Sequence, residues 1–142
     1  MHIQFSNTYF FTATALNWNL IFDEVAKNII VKSLKHLVDH RRILVLGFVV
    51  MPNHLHILWH ICENNHLEDV QRDFMKFSAQ QIKFHLQVSA PEKLNQHLVN
   101  TRDRKYQIFK RKPLSIPIDN NLIFEQKLNY IHQNPLQEKW QL

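Results

Sequence analysis

Apolar and polar residues follow two different spacings along this chain, and each spacing predicts a different kind of element. An aromatic and threonine-rich segment at 9–15 and a nearly continuous apolar run at 43–50 are typical of strands. A second apolar run at 54–60 follows a turn at Pro52 and Asn53, which predicts a hairpin with the run before it. We expect the hairpin strands to form the centre of a sheet.

Three other stretches place their apolar residues at helical spacing. The first begins after Asp23, a residue that caps helices well, and the second covers about 67–86 with Phe77 on its inner side. The third covers Asn120–Asn134 and is expected to end there, because Pro135 disfavours helical geometry in the residue before it. All three helices are expected to pack an apolar stripe against the sheet.

The order of these elements predicts an α+β fold. We expect the last strand of the sheet at Tyr106–Phe109, and a linker punctuated by Pro113 and Pro117 after it. Strand, helix, strand, strand, helix, strand is the split βαβ order of ferredoxin-like folds, with a central antiparallel sheet and here an added C-terminal helix. A chain of 142 residues suits one such domain, covering 1–142.

Composition excludes several classes of site. The single glycine, Gly47, excludes the glycine-rich loops that bind nucleotide phosphates. The single cysteine, Cys62, excludes an internal disulfide and a cysteine-rich zinc site, which favours a reducing compartment. No signal sequence and no apolar run long enough to cross a bilayer are found. The expectation is a cytoplasmic protein without a membrane partner.

The positive charge is concentrated in one segment. The whole chain carries a formal net charge of +5, and residues 101–112 hold six cations against one acidic residue, Asp103. Tyr106 and Phe109 lie between those cations, a mixture that suits phosphate contacts together with base stacking. A solvated basic loop is the alternative. The candidate DNA contacts are Lys76, Arg104, Lys105 and Arg111.

Two histidines stand at positions i and i+2 of the strand that follows the Pro-Asn turn. Side chains alternate along a strand, so His54 and His56 should project from one face with about 6.8 Å between them. Burying two imidazoles without partners would cost about 1–3 kcal/mol each. They therefore either reach water at a cleft or bind a metal ion.

Tyr130 and Asn134 lie one turn apart on the C-terminal helix. Tyr130 falls about 100° from Ile131 around that helix, away from the centre of the apolar stripe, and Asn134 follows on the same side. A hydroxyl and an amide oxygen can thus approach one point. The alternatives are an amphipathic ring at the edge of the core and an ordinary helix-terminal asparagine before proline.

Two segments together resemble one protein family. Residues 49–60, VVMPNHLHILWH, resemble the metal-binding His-hydrophobe-His (HUH) motif of the single-tyrosine HUH transposases. Residues 127–136, KLNYIHQNPL, resemble the tyrosine helix of the REP-associated branch, in which Tyr-Ile-x-x-Asn-Pro is typical. The basic segment between them is also similar to that of relatives. The chain differs after Pro135, and we expect the C-terminal extension of the family to be short or absent.

The resemblance implies a fold, an activity and a set of site residues. It implies the HUH endonuclease fold, with Tyr130 as the nucleophile and with His54, His56 and Asn134 as ligands of Mg²⁺ or Mn²⁺. The implied reaction is cleavage of single-stranded DNA, often beside a hairpin, through a 5′-phosphotyrosine intermediate, by a monomer or a homodimer. Two imidazoles would also suit Zn²⁺.

Two other activities remain open at this point. One is a catalytically silent module that binds hairpins or single strands, and the other is a metal-dependent hydrolase without a covalent intermediate.

Overall fold

The structure is a computed structural model that describes residues 5–133, and it contains four strands and four helices in that range. The strands are β1 (Thr8–Thr14), β2 (Ile43–Met51), β3 (His54–Ile61) and β4 (Leu114–Pro117). The helices are α1 (Glu24–Asp39), α2 (Leu67–Ser89), α3 (Pro91–Asn95) and α4 (Asn121–Gln133), with a short 3₁₀ turn at Leu16–Trp18. None of the described helices combines the length and the apolar character needed to cross a membrane.

The four strands form one antiparallel sheet in the order β2-β3-β1-β4. Of the two hairpin strands predicted to be central, β3 is central, whereas the prediction for β2 was wrong because it lies at an edge of the sheet. This order and the alternation with α1 and α2 confirm the predicted ferredoxin-like α+β fold.

The predicted position of the last strand was wrong. Tyr106 and Phe109 each make only an isolated bridge, to Leu98 and Ala15, and β4 instead occupies the segment between prolines that we had predicted to be a linker. An edge strand tolerates such flanking prolines because only one of its sides is paired.

Different helices pack against the two faces of the sheet. Alternate residues of β1 and β3, such as Phe11 and Trp59, pack against α1 and α2 in the larger core. The residues between them face α4 in a smaller core, to which Leu58 and Ile131 belong. The predicted inner position of Phe77 was wrong, because its side chain is 46% exposed. Helix α2 buries a narrower stripe instead, consisting of Val70, Phe74, Ser78, Ile82 and Leu86.

Helix α4 approaches the sheet closely at Gly47. A Cβ atom built on this residue would lie 3.1 Å from Cδ1 of Leu128 and 3.7 Å from Cδ1 of Ile131. The only glycine of the chain therefore lies where a larger side chain would press against α4. At the start of the helix, the Oδ1 atom of Asn120 accepts a hydrogen bond of 2.9 Å from the backbone N–H of Ile123 and caps it.

His97 joins the basic segment to the 3₁₀ turn from a fully buried position. Its Nδ1–H donates to the carbonyl oxygen of Gln107 at 2.8 Å, and its Nε2 accepts from the Asn19 amide at 3.2 Å. Both ring nitrogens are satisfied in the neutral form, and burial lowers the pKa of His97 below its ordinary value of 6.5. This histidine is a structural element of the loop and not a free base.

We expect His97→Leu to lower the free energy of unfolding by about 1–3 kcal/mol, because the Gln107 carbonyl and the Asn19 amide lose their partner. Since the unfolded state binds the proton more readily, the wild-type protein should also lose stability as the pH falls below 6.5. Urea denaturation at several pH values measures both effects. The exposed control His36→Leu should change neither the free energy of unfolding nor its dependence on pH. If His97→Leu leaves the pH dependence unaltered, the structural role assigned to His97 is contradicted.

Candidate active site

His54 and His56 project from β3 toward the α4 side of the sheet. Their ring centroids lie 5.1 Å apart, with the ring planes at 75°. Two imidazoles that share one ion, each with a ring nitrogen about 2.1 Å from it, place their ring centres about 5 Å apart when the ligand angle is near 90–110°. The spacing of the two rings therefore fits a common ion.

A hydrogen bond to each Nδ1 atom orients the two imidazoles. The Nδ1 of His54 lies 2.7 Å from Oδ1 of Asn53, whose amide nitrogen donates to the carbonyl oxygen of Trp18 at 3.4 Å. Because the amide nitrogen of Asn53 donates to Trp18, its Oδ1 atom is the end that faces His54 and accepts a hydrogen bond from Nδ1–H. The lone pair of the His54 ring is therefore on Nε2. The Nδ1 of His56 lies 2.8 Å from Oγ1 of Thr12, its cross-strand partner on β1. Such partners set the tautomer of histidines that bind metals.

His56 has the properties of a neutral ligand. Its side chain is 6% exposed, and its buried Nε2 atom has no hydrogen-bond partner among residues 5–133. Burial, His54 and Lys127 lower the pKa of His56 from 6.5 to about 4. The imidazole therefore keeps its lone pair at neutral pH, as coordination requires. A buried nitrogen left without a partner costs about 1–3 kcal/mol, which an ion at this position would offset.

Tyr130 lies on α4 beside His56. The two ring centroids are 5.1 Å apart at 79°, and the Tyr130 ring also meets the edge of Phe10 at 6.1 Å. Phe10 stacks on His56 at 5.0 Å, and the Nζ atom of Lys127 lies 5.1 Å from the centroid of Phe10. The phenol is 45% exposed, so a solvent-borne substrate can reach it. The structure thus brings the predicted tyrosine and histidines together in one chain.

The donor set is suited to a divalent cation but is incomplete within the described residues. No group of three or more His, Cys, Asp or Glu side chains that could hold a metal occurs in residues 5–133. The predicted third ligand, Asn134, lies outside the residues that the structure describes. His54 and His56 would thus hold Mg²⁺ or Mn²⁺ with further oxygen ligands, and Asn134 stays a prediction.

Thr12→Val should weaken binding of Mn²⁺ by about 10–100-fold, because His56 would lose the partner that orients it. The matched control is Thr8→Val on the same strand and face, which removes a hydrogen bond of 3.2 Å to His60 instead. Titration of each variant with Mn²⁺, followed by electron paramagnetic resonance, measures the affinity. Equal affinities in the two variants would contradict the positioning role of Thr12.

A basic cleft of about 720 Å³ lies between α2 and the segment 103–113. It contains three of the four predicted DNA contacts, namely Lys76, Arg104 and Arg111. Lys105 was also predicted, but it lies in a neighbouring hollow formed by residues 100–105, with its Nζ atom 5.5 Å from the ring centroid of Tyr106. The other cations of the cleft are Arg72, Lys83, Lys110 and Lys112.

Four residues of the site were missed by the sequence interpretation. Thr12 and Phe10 contact His56 only through the pairing of β1 with β3, which the sequence did not specify. Lys127 acts on His56 across the space between a helix and the sheet. Asn53 could have been found, since a turn asparagine directly before the first histidine is a natural hydrogen-bond partner for it.

Among the comparisons of this chain with known proteins, only the comparison with solved structures found similar proteins. No protein-family model and no curated protein sequence matches the chain. The structure of a REP-associated tyrosine transposase bound to a REP hairpin is similar at a TM-score of 0.67 and 17% identity, covering 99% of this chain and 72% of that one. A candidate transposase from Deinococcus radiodurans R1 is similar at a TM-score of 0.58 and 11% identity, covering 89% of this chain and 88% of that one. The chain therefore has the fold of these two transposase structures.

Proposed function

We propose that this chain is a metal-dependent DNA strand transferase of the single-tyrosine HUH transposase type, with Tyr130 as its nucleophile. The observation that carries the proposal is the contact between the exposed Tyr130 ring and His56, whose buried Nε2 is neutral and has no partner in residues 5–133. The likeness of the fold to a tyrosine transposase bound to a REP hairpin supports single-stranded or hairpin DNA as the substrate.

The proposed reaction exchanges one phosphodiester for another. The phenolic oxygen of Tyr130 attacks the phosphorus, a new O–P bond forms, and the bond from phosphorus to the 3′-oxygen breaks. The phenolic proton goes to solvent and the leaving oxygen takes up a proton, which yields a 5′-phosphotyrosine and a free 3′-OH. Because the new bond keeps the energy of the old one, attack by a 3′-OH reverses the step without an external energy source.

Residues of this chain would assist that step in two ways, by favouring the phenolate and by polarising the phosphate. A phenol is a much weaker nucleophile than the phenolate. A divalent cation held by His54, His56 and Asn134 would favour the phenolate and polarise the phosphate. Lys127 lies one turn before Tyr130, and its charge acts on His56. It would therefore add positive charge beside the phenol and the phosphate.

The test is a search for a covalent adduct. The protein is incubated with Mg²⁺ or Mn²⁺ and a panel of hairpin oligonucleotides with single-stranded flanks, labelled at either end. We expect a denaturant-resistant adduct that carries the fragment 3′ to the cut and that does not form when EDTA is present from the start. Hairpin binding with no adduct on any oligonucleotide would instead support the silent binding module. Cleavage without an adduct would support the hydrolase.

A further inference from the structure

The aromatic side chains that are open to solvent do not lie where the sequence suggested. Phe109, which lies between cations in the sequence and was expected to stack on bases, is 5% exposed and belongs to the larger core, so that expectation was wrong. Tyr106 is half-buried, and Lys105 lies over its ring. Among residues 5–133, the most exposed aromatic side chain is that of Trp18, at 58%. Trp18 is therefore the most accessible ring in this range for a planar ligand.

Trp18 lies beside the candidate active site. Its ring centroid is 6.3 Å from that of His54, with the ring planes at 64°. Tyr130 lies at the opposite end of the histidine pair, because it contacts His56 and also Phe10, whose partner on β3 is two residues beyond His56. The two histidines therefore lie between an indole ring at one end and a phenol ring at the other.

The turn that carries Trp18 is attached to the hairpin that carries the histidines. The carbonyl oxygen of Trp18 accepts a hydrogen bond of 3.4 Å from the side-chain amide of Asn53, and its backbone N–H donates to Ala15 at 3.0 Å. The backbone N–H of Ala15 donates in turn to the carbonyl oxygen of Asn53 at 2.9 Å. The Oδ1 atom of the same asparagine accepts from His54. Asn53 thus holds the backbone of Trp18 and the ring of His54 in one arrangement.

The backbone at Trp18 has a conformation that large residues seldom adopt. The φ angles of Asn17 and Trp18 are 56° and 57°, in the left-handed region that favours glycine. Burial does not offset this strain, because the Trp18 side chain belongs to neither of the two cores of the described residues. Strained residues of this kind recur at ligand clamps, where they hold a side chain ready for its ligand.

An indole that is fixed in place and open to solvent suits stacking on a nucleobase. Proteins that hold single strands use such rings, and the stack tolerates any sequence because every base has a π-face. In-line attack by Tyr130 requires the leaving oxygen to lie on the opposite side of the phosphorus. Because Tyr130 is at the His56 end of the pair, the leaving 3′-oxygen and its nucleoside would point to the end at Trp18.

We infer that Trp18 stacks on the base of the nucleotide immediately 5′ of the cut and so positions the phosphate that Tyr130 attacks. The inference rests on the proposed function for the identity of the cut. After cleavage, the same stack keeps the free 3′-OH beside the phosphotyrosine, where the reverse attack needs it. Loss of the stack should therefore slow both cleavage and rejoining.

The first test measures stacking without cleavage, in full-length Tyr130→Phe protein. Fluorescence anisotropy gives the Kd for a single strand of about 12 thymidines and for an abasic strand of the same length, which has the same phosphates but no bases. The variants are Trp18→Ala, Trp18→Phe and the control Phe77→Ala. Phe77 is a 46% exposed ring on α2, which packs against the opposite face of the sheet.

We expect Trp18→Ala to raise the Kd of the thymidine strand by about tenfold and to leave the Kd of the abasic strand within about twofold. Trp18→Phe should keep most of the affinity, because a phenyl ring can also stack on a base. Phe77→Ala should change neither Kd. An unchanged Kd of the thymidine strand in Trp18→Ala would overturn the inference. An equal loss for both strands would also overturn it, since such a loss would come from phosphate contacts or from a damaged turn.

The second test identifies the stacked base in protein that keeps Tyr130. Labelled fragments locate the cut, and a single abasic nucleotide is then placed either 5′ or 3′ of it. We expect the abasic nucleotide on the 5′ side to slow adduct formation by about tenfold in the wild type and to cause no further loss in Trp18→Ala. The abasic nucleotide on the 3′ side should slow both proteins by the same factor. Losses that multiply on the 5′ side would show that Trp18 does not contact that base.

The inference and the proposed function fail in different ways. Absence of any adduct would contradict the transferase, while the binding test would still decide whether Trp18 stacks on bases. An adduct that forms at the wild-type rate in Trp18→Ala would overturn the inference and leave the transferase in place.

Discussion

Tyr130→Phe is expected to reduce formation of the covalent DNA adduct by a thousandfold or more, on the order of the losses seen when a nucleophile is removed from an enzyme. The substitution deletes one oxygen atom and keeps the ring that packs against His56 and Phe10. Stability and hairpin affinity should therefore stay as they are in the wild-type protein. Denaturing gel electrophoresis of the labelled oligonucleotide measures the adduct directly.

Tyr9→Phe is the matched control for this experiment. Tyr9 packs at the edge of the larger core, on the face of the sheet opposite His56, so loss of its hydroxyl should leave the yield of adduct within about threefold. An adduct of normal yield in Tyr130→Phe would show that another side chain attacks the phosphate. Cleavage that survives in Tyr130→Phe but is lost in His54→Ala would replace the transferase with a hydrolase.

The second large effect is expected at Gly47, which lies on β2 against α4. Gly47→Ile adds a branched side chain where α4 leaves no room, because even a Cβ atom lies 3.1 Å from Leu128. The helix must move away from the sheet and take Tyr130 with it. A displacement of about 1 Å at the reacting atom can lower the rate of a reaction by about a hundredfold. We expect a loss of that order in adduct formation, and about 1–3 kcal/mol of lost stability from overpacking.

Gly47→Ala separates displacement of the helix from the loss of glycine itself. The single Cβ meets the flexible end of Leu128, which can move by a few tenths of an ångström, so Gly47→Ala should keep its rate within about threefold. Rates are compared at a temperature at which circular dichroism shows all variants to be folded. A Gly47→Ile protein that forms the adduct as fast as the wild type would show that the position of α4 on the sheet does not control the chemistry.

Much of the candidate site could be predicted because the period of a strand is fixed. Residues 54 and 56 must project to one face of β3 whatever the rest of the chain does, and Leu55 between them must face the other core. The stripe of α4 likewise follows from helical geometry, and it places Tyr130 away from the centre of the helix-sheet contact. Local geometry was therefore sufficient to predict that the histidines share a face and that the tyrosine lies beside the apolar stripe.

The parts that could not be predicted depend on contacts between distant residues. The strand β4 has four residues and ends on a proline, so its local sequence resembles a linker, and only pairing with β1 makes it a strand. Phe109 lies between cations in the sequence but is buried, because the chain turns there to bridge Ala15. Thr12 became a partner of His56 through the same kind of long-range pairing.

The separation of the site residues along the chain has a consequence for protein synthesis. His54 and His56 belong to a hairpin whose larger core is built from residues 11–109, whereas Tyr130 arrives on α4 after this core. During translation, β1, β2, β3 and both long helices can assemble before α4 has emerged from the ribosome. The histidines would then be in place while the phenol is still absent. On the proposed mechanism, a nascent chain would be unable to cut DNA until its tyrosine helix has been released and has docked.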